Sequence, residues 1–289
     1  LPEVKSGKIS AVEMKIGEYC ASLINDGDCI QLGIGGIPNA VCQQLKSKKD
    51  LGLHSELVGD GVVELLEEGI INNKRKNIKN GRTVLGAAFG SKILNDYINN
   101  NPSVELHHID YVNNPVEIAK NDNMVSINSC LQVDLLGQVV SDTIGLSQFS
   151  AVGGQVDFVR GATMSKGGRS IIAMPSTAKH GTVSRIVPLI TEGSAITTPR
   201  NDVNYVVTEY GIAQLKGKTL KERAKELIKI THPKFRPFLM MEYKKRFGEV
   251  PFTAEEQHSF TSVVIDEVKE KIKQDRREIA DKLKHALKN

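Results

Sequence analysis

The sequence predicts an α/β fold, a mostly parallel sheet with helices on both faces. Three observations carry that prediction. Short apolar runs alternate with amphipathic runs from Cys29 to about Asn121, the pattern of strands joined by crossover helices. Turn residues punctuate the alternation, first at Asn25-Asp26-Gly27 and then at Gly33-Ile34-Gly35-Gly36. At 289 residues, with 40% apolar and 25% charged residues, the chain has ordinary globular composition and enough length for a sizeable core.

Taken in order, Ser10-Ala-Val-Glu13 is a capping-box pattern that opens an amphipathic helix. Its apolar face carries Val12, Ile16, Tyr19, Cys20, Leu23 and Ile24. A strand is expected over 29–34, then glycines, then a helix with Pro38 in its first turn. The theme repeats: strand 53–58 and helix 62–71, strand 83–89 and helix 91–99, strand 104–109 and helix 115–121. Beyond it, "MVSINSCLQVDLLGQVVS" reads as two strands around Leu136-Gly137. Glycine loops follow at Gly153-Gly154 and Gly167-Gly168, strands at 170–174 and 205–208, and a helix at 219–230.

Composition divides the chain into a body, 1–248, and a charged helical tail, 249–289, with one interrupted apolar stripe through Val268, Ile272, Ile279, Leu283 and Ala286. The net charge of +4 suits a small anionic ligand. No dense Lys/Arg stripe interleaves with aromatics and Trp is absent, which argues against nucleic acid. No apolar run reaches membrane-spanning length and no signal peptide is visible. The chain begins at Leu1 without Met, so its natural start is expected upstream. Cys20, Cys29, Cys42 and Cys130 form no C-x-x-C pair and read as buried thiols of a reducing compartment, so the expectation is a soluble cytoplasmic protein without a metal.

Gly33-Ile34-Gly35-Gly36-Ile37-Pro38 joins a strand to a helix. A dinucleotide fingerprint needs a third glycine where this chain has Pro38, and no Gly-Lys-Ser/Thr follows to make a phosphate loop. What remains is a turn whose bare amides could hold an anion or a developing oxyanion, or one that only packs the helix on the sheet. Glu56 interrupts an apolar strand. It is either an exposed edge residue or a carboxylate at the carboxyl end of a buried parallel strand. Such an end faces the ligand crevice, where a carboxylate can act as base or nucleophile.

A strand ending in Gly-Ile-Gly with Pro38 soon after, followed about twenty residues on by Ser55-Glu56, resembles the active-site signature of family I coenzyme A transferases. Asn113-Asn114-Pro115, "INSCLQVDLLGQV", "GGQVDF", "GTVSRIVP", "TTPRNDVNYVVTEYGIAQLKGKTL" and "HPKFR" extend the likeness over about residues 10–246. They narrow it to the acetyl-CoA hydrolase/transferase branch, with the 4-hydroxybutyrate and butyrate:acetate CoA-transferases. The resemblance implies the C-terminal catalytic CoA-transferase domain, of NagB/RpiA-like fold, of a longer protein whose N-terminal domain is absent here. It implies a homo-oligomer, acyl-CoA and a short-chain carboxylate as substrates, and no tightly bound cofactor. Glu56 would be the nucleophile, forming a glutamyl-CoA thioester. Amides around Leu32, Gly33 and Gly35 and those of Gly153 and Gly154 would form oxyanion holes, and Asn113 would orient the glutamate or substrate. Gln132 departs from the family, which usually carries glutamate there.

Hydrolysis of acetyl-CoA by the same glutamate, and an inactive isolated domain, are the alternative readings. Lys179, Arg185, Arg200, Lys216 and Lys218 are candidates for the CoA phosphates, with Lys216 and Lys218 put forward. His54 and Ser55, like His107 and His108, are strand neighbours pointing to opposite faces, which argues against a serine-histidine pair or a two-histidine metal site.

Overall fold

In the computed structural model of the protein, which describes Glu3 and residues 7–256, Ser10 caps the first helix as the pattern predicts. Its hydroxyl accepts from Glu13 N at 3.2 Å while the Glu13 carboxylate accepts from Ser10 N at 2.7 Å. The helix, α1 (Ala11–Ser22), buries Ile16 and Cys20. Then come β1 (Cys29–Gln31), α2 (Gly36–Gln44), β2 (Gly52–Val58), α3 (Gly61–Glu67), β3 (Thr83–Ala88), α4 (Lys92–Ile98), β4 (Val104–Leu106), α5 (Ile109–Val112), α6 (Pro115–Ala119) and β5 (Met124–Ser129). A hairpin of β6 (Gln132–Asp134) and β7 (Val139–Val140) turns at Leu136-Gly137, followed by β8 (Thr143–Ile144), β9 (Ser147–Gln148) and α7 (Gln155–Met164). The rest of the first unit is β10 (Arg169–Ala173), β11 (Thr177–Ala178), β12 (Val183–Ser184), β13 (Ile186–Val187), β14 (Tyr205–Thr208), β15 (Gly211–Gln214) and α8 (Leu220–Lys229).

The described residues group into two units, one up to Thr231 and one from His232, so the division falls earlier than the compositional break at Glu249. The second unit holds α9 (Arg236–Phe247), closed by Gly248 at φ +76° with its N–H on Lys244 O. The stripe from Val268 to Ala286 lies outside the described residues.

Eight strands form one sheet in the order β15-β14-β10-β5-β1-β2-β3-β4, parallel except for β15. The chain moves outward in one direction from β1 through β4 and in the other from β5 through β14. That places a topological switch point between β1 and β5, and ligands of such sheets bind beyond the carboxyl ends of the strands. Alternate residues of each strand serve opposite faces. Ile30, Leu53, Leu85 and Val125 join the core under α1, α2 and α3, while Cys29, Val84 and Met124 pack with Val112, Ile118 and Phe158 of α5, α6 and α7. Helices thus cover both faces, as expected.

Several boundaries differ from the expectation. β1 stops at Gln31, because the chain turns into the glycine loop, and β4 stops at Leu106, because His108 already opens α5. The stretch from Met124 to Ser141 makes three strands: β5 joins the large sheet, and only β6 and β7 form the hairpin, in a separate sheet with β13. All four cysteines are free and buried, and burial pushes the Cys20, Cys42 and Cys130 thiols up to about 12. No helix among the described residues is long and apolar enough to cross a membrane, and no cluster of His, Cys, Asp or Glu there could hold a metal ion.

Candidate active site

Glu56 sits near the carboxyl end of β2, beside the switch point. Its parity in the strand is that of His54, so it faces the α5–α7 side of the sheet. Its carboxylate Oε2 accepts a 2.9 Å hydrogen bond from Gly154 N, just ahead of α7. Glycine is required there. A Cβ on Gly154 would lie 2.2 Å from Glu56 Oε2 and 2.2 Å from Asn113 Nδ2, so both side chains close over the same Cα. Gly153 before it adopts φ +62°, a left-handed turn that aims the Gly154 amide at β2.

Asn113-Asn114-Pro115 has a clear local logic. Asn113 ends α5, its N–H on Ile109 O at 2.8 Å. Asn114 then caps α6 by accepting from Val116 N, and Pro115 occupies the first turn where its missing donor costs nothing. The site side chain and the helix cap are therefore consecutive residues. Asn113 Oδ1 is buried and lacks a hydrogen-bond partner.

Leu32 and Gly33 are tied to the same strand. Ser55 Oγ donates toward Leu32 O at 2.5 Å, locking the end of β1 against β2 on the face opposite Glu56. Among the described residues no acceptor is seen for the Gly33 or Gly153 amide, which leaves both as available donors. Gly35 caps α2 at φ +109°. The Gly36 end of the loop differs from the open anion cradle the sequence suggested. The Glu13 carboxylate presses on it, 1.9 Å from where a Cβ would stand, so the chain's own carboxylate sits at the start of α2.

His54 is fully buried two residues before Glu56. Its Nε2 donates to Val112 O at 2.9 Å, the peptide next to Asn113, and its ring sits between Tyr111 and Phe158 with centroids at 6.3 and 6.1 Å. A carbonyl only accepts, so Nε2 carries the proton; Nδ1 is buried without a partner. Burial lowers the pKa to about 4, so the ring is neutral near pH 7. His54 thus braces α5 and α7, the two elements that bring Asn113 and Gly154 to Glu56. It escaped the sequence reading because its partner is a main-chain carbonyl far along the chain. Asp157, in the first turn of α7, has its pKa raised by burial and secondarily by the charge of Glu56, which marks it as a second carboxylate near the site.

Other candidates lie apart. β15 runs back to the amino end of β14, so Lys216 follows it at the amino edge of the sheet, lining a cavity of about 330 Å³ with Gly167, Arg169 and Asn204. Lys218 pairs with Glu226 at 3.4 Å. Lys216, put forward for the CoA phosphates, thus stands at the sheet edge opposite Glu56. Gln132 accepts from Thr191 Oγ1 at 3.0 Å, a contact of the small sheet. His107 faces Glu105 at 2.7 Å, so it and His108 form no shared site. A cavity of about 720 Å³ near Asn39, Cys42 and Asp60 does not include Glu56, which sits half-buried at the carboxyl edge of the sheet.

Residues 90–243, which hold Asn113, Gly153 and Gly154, match the model of the acetyl-CoA hydrolase/transferase C-terminal domain. The chain is 62% identical over 247 residues to the 4-hydroxybutyrate coenzyme A transferase of Clostridium kluyveri, covering 86% of this chain and 58% of that protein. It is 54% identical over 228 residues to the succinyl-CoA:cyclohexane-1-carboxylate CoA transferase of Geobacter metallireducens, covering 79% and 52%. The crystal structure of a 4-hydroxybutyrate CoA-transferase from Porphyromonas gingivalis aligns with TM-score 0.76 and 53% identity, over 85% of this chain and 58% of that one. The chain spans little more than half the length of these relatives. With the sheet, the glycine loops and the contact of Gly154 with Glu56 in place, the chain belongs to the acetyl-CoA hydrolase/transferase family and matches its C-terminal domain.

Proposed function

We propose that this chain carries the nucleophile of a CoA-transferase that exchanges coenzyme A between short-chain carboxylic acids, such as acetate, butyrate or 4-hydroxybutyrate. The observation that carries the reading is the Gly154 amide on the Glu56 carboxylate, with Asn113 packed against the same Cα. In the first step a Glu56 oxygen attacks the acyl-CoA carbonyl; the C–S bond breaks and CoA leaves as thiolate with the electron pair, giving an acyl-glutamyl anhydride. The thiolate then attacks the glutamyl carbonyl carbon. The bond from that carbon to the bridging oxygen breaks, the first acid departs as carboxylate, and Glu56 is left as the CoA thioester. An acceptor carboxylate runs the steps in reverse.

Each attack puts negative charge on a carbonyl oxygen. The Gly154 amide, already on Glu56 Oε2, is placed for the charge that forms on the glutamyl carbonyl. The Gly33 amide and Asn113 are the donors on this chain for the oxygen of the bound acyl group. Removing one such donor typically costs about 10²–10³ in kcat. We further propose that the rest of the relatives' length supplies an N-terminal domain that closes over Glu56, in a cytoplasmic homo-oligomer, with CoA as a substrate and not a resident cofactor. Water in place of the acceptor acid would give a hydrolase, and the half-buried setting of Glu56 in this chain favours that second reading only where nothing covers the edge.

The test uses the full-length protein. Glu56→Gln should lose CoA exchange between butyryl-CoA and acetate, and borohydride should trap the unaltered enzyme, but not the variant, in the presence of acyl-CoA. Full exchange by the variant would end the proposal. Free CoA released at the same rate with and without acceptor would select the hydrolase.

A further inference from the structure

Along the carboxyl edge of the sheet, character changes from one side of the switch point to the other. Over β1 to β4 the strand ends and the segments that follow them expose apolar side chains: Ile34, Phe89, Ile93, Leu106 and Ile109. Over β10 and β14 the edge brings Ser10, Glu13, Lys179, His180 and Glu209 into a cavity of about 320 Å³ that Val12, Pro175 and Ala178 also line. Both carboxylates there are engaged. Glu209 accepts from Ser176 N and Oγ, and Glu13 accepts from Ser10 N and Oγ. Lys179 and His180 are exposed, and their side chains have no hydrogen-bond or ion-pair partner among the described residues.

These two residues also occupy an unusual backbone. The turn between β11 and β12 runs through Lys179 at φ +47°, His180 at φ +54° and Gly181 at φ +79°, three left-handed residues in succession. Thr182 pins it, with its N–H on Lys179 O at 3.2 Å and its hydroxyl donating to the same carbonyl at 2.7 Å. Left-handed geometry is costly for residues that carry a Cβ. Two in a row, each with an exposed basic side chain, are the kind of strain that accompanies a function.

We infer that the Lys179–His180 turn holds the phosphates of acyl-CoA while the thioester lies on Glu56. This rests on the CoA-transferase reading and gives CoA a direction across the site. From β2, which carries Glu56, to β10, which leads into the turn, there are three strand spacings. At about 4.8 Å each that is roughly 14 Å, a span suited to an extended pantetheine arm. The arm crosses the ends of β1 and β5, where the Gly33 turn leaves backbone room. The acyl group then points the other way, toward Phe89 and Ile109. Lys179 supplies a compact charge and His180 a ring N–H for phosphate oxygens.

Steady-state kinetics with acyl-CoA and with the matching acyl-pantetheine, which lacks every phosphate, tests this in the full-length protein. Lys179→Ala and His180→Ala should each lower kcat/KM for acyl-CoA about tenfold through KM, with kcat intact, and leave acyl-pantetheine unchanged. A fall shared equally by the two substrates, or no fall at all, overturns the assignment. The unaltered enzyme gives an arm that needs no variant: it should prefer acyl-CoA to acyl-pantetheine, and equal use of both also overturns it. Transfer by the unaltered enzyme with unselective variants removes only the phosphate site, whereas no transfer from either substrate removes the CoA-transferase reading as well.

Discussion

At His54 one buried ring links stability to pH. Its pKa falls from about 6.5 in the unfolded chain to about 4 in the fold, chiefly through burial, with Lys76 and His107 lowering it further and the Val112 bond and Glu117 opposing. Between those values the unfolded chain takes up a proton that the folded chain does not. The contribution is therefore complete above about pH 6.5 and is lost as pH falls toward 4, by up to about 3 kcal/mol. His54→Gln places an amide N–H near Nε2 and has no charge to gain. Denaturant midpoints at pH 7.5 and pH 4.5 should differ less in the variant than in the natural protein, with exchange activity near neutral pH largely kept. An identical pH slope in both would show that His54 is not the group responsible. Ser55 and Glu56 were legible in the sequence because a polar pair in an apolar strand needs a reason. The brace at His54 was not, since nothing in the chain announces a backbone carbonyl as partner.

Helix α7 is the element on which the site depends, and it was the least legible. Gly153-Gly154 read as a loop, yet Gly154 is the residue from which the helix starts, with no side-chain cap to signal it. Gly161 in its middle weakens the helical pattern; it is there because a Cβ would meet Ile118 Cγ2 at 2.5 Å, so glycine lets α7 lie against α6. By contrast α1 was plain, since it opens with a capping box that the structure reproduces, and α8, expected over 219–230, opens with another in the structure. Gly154→Ala should fold, because its φ of −93° suits any residue, but the new Cβ must displace Asn113 and the Glu56 carboxylate. We expect kcat to fall about 10² or more with thermal stability changed little. Gly153→Ala should do the reverse, costing about 1 kcal/mol for its positive φ while keeping most activity. Thermal melts and exchange rates on the pair separate the two effects; equal loss of activity in both would mean that loop shape alone matters.

For the molecule as a whole, alternation of strands and helices made the parallel sheet legible, whereas strand order did not follow from it. The reversal between β1 and β5 sets the glycine loop after β1 and Glu56 of β2 beside the switch point, where Gly154 meets Glu56, and it is set by long-range packing that no local pattern encodes. The same reversal gathers Ile34, Phe89, Ile109 and Val152 on one exposed edge beside Glu56. Exposed apolar side chains grouped in this way suit a face that is covered in the proposed full-length protein. The chain spans little more than half its relatives' length, and the N-terminal domain proposed above is the cover this edge would take. The 289-residue chain alone should therefore bind a polarity-sensitive dye such as anilinonaphthalene sulfonate and exchange CoA slowly, with water competing at Glu56. A chain extended to the relatives' length should bind little dye, exchange quickly and release little free CoA. The decisive comparison is Phe89→Ser in both forms: dye binding should drop in the short chain, and in the long chain the ratio of hydrolysis to transfer should rise. Dye binding that is unaffected by the substitution, together with fast exchange by the short chain, would show that this edge needs no cover and that Glu56 excludes water with residues of this chain alone.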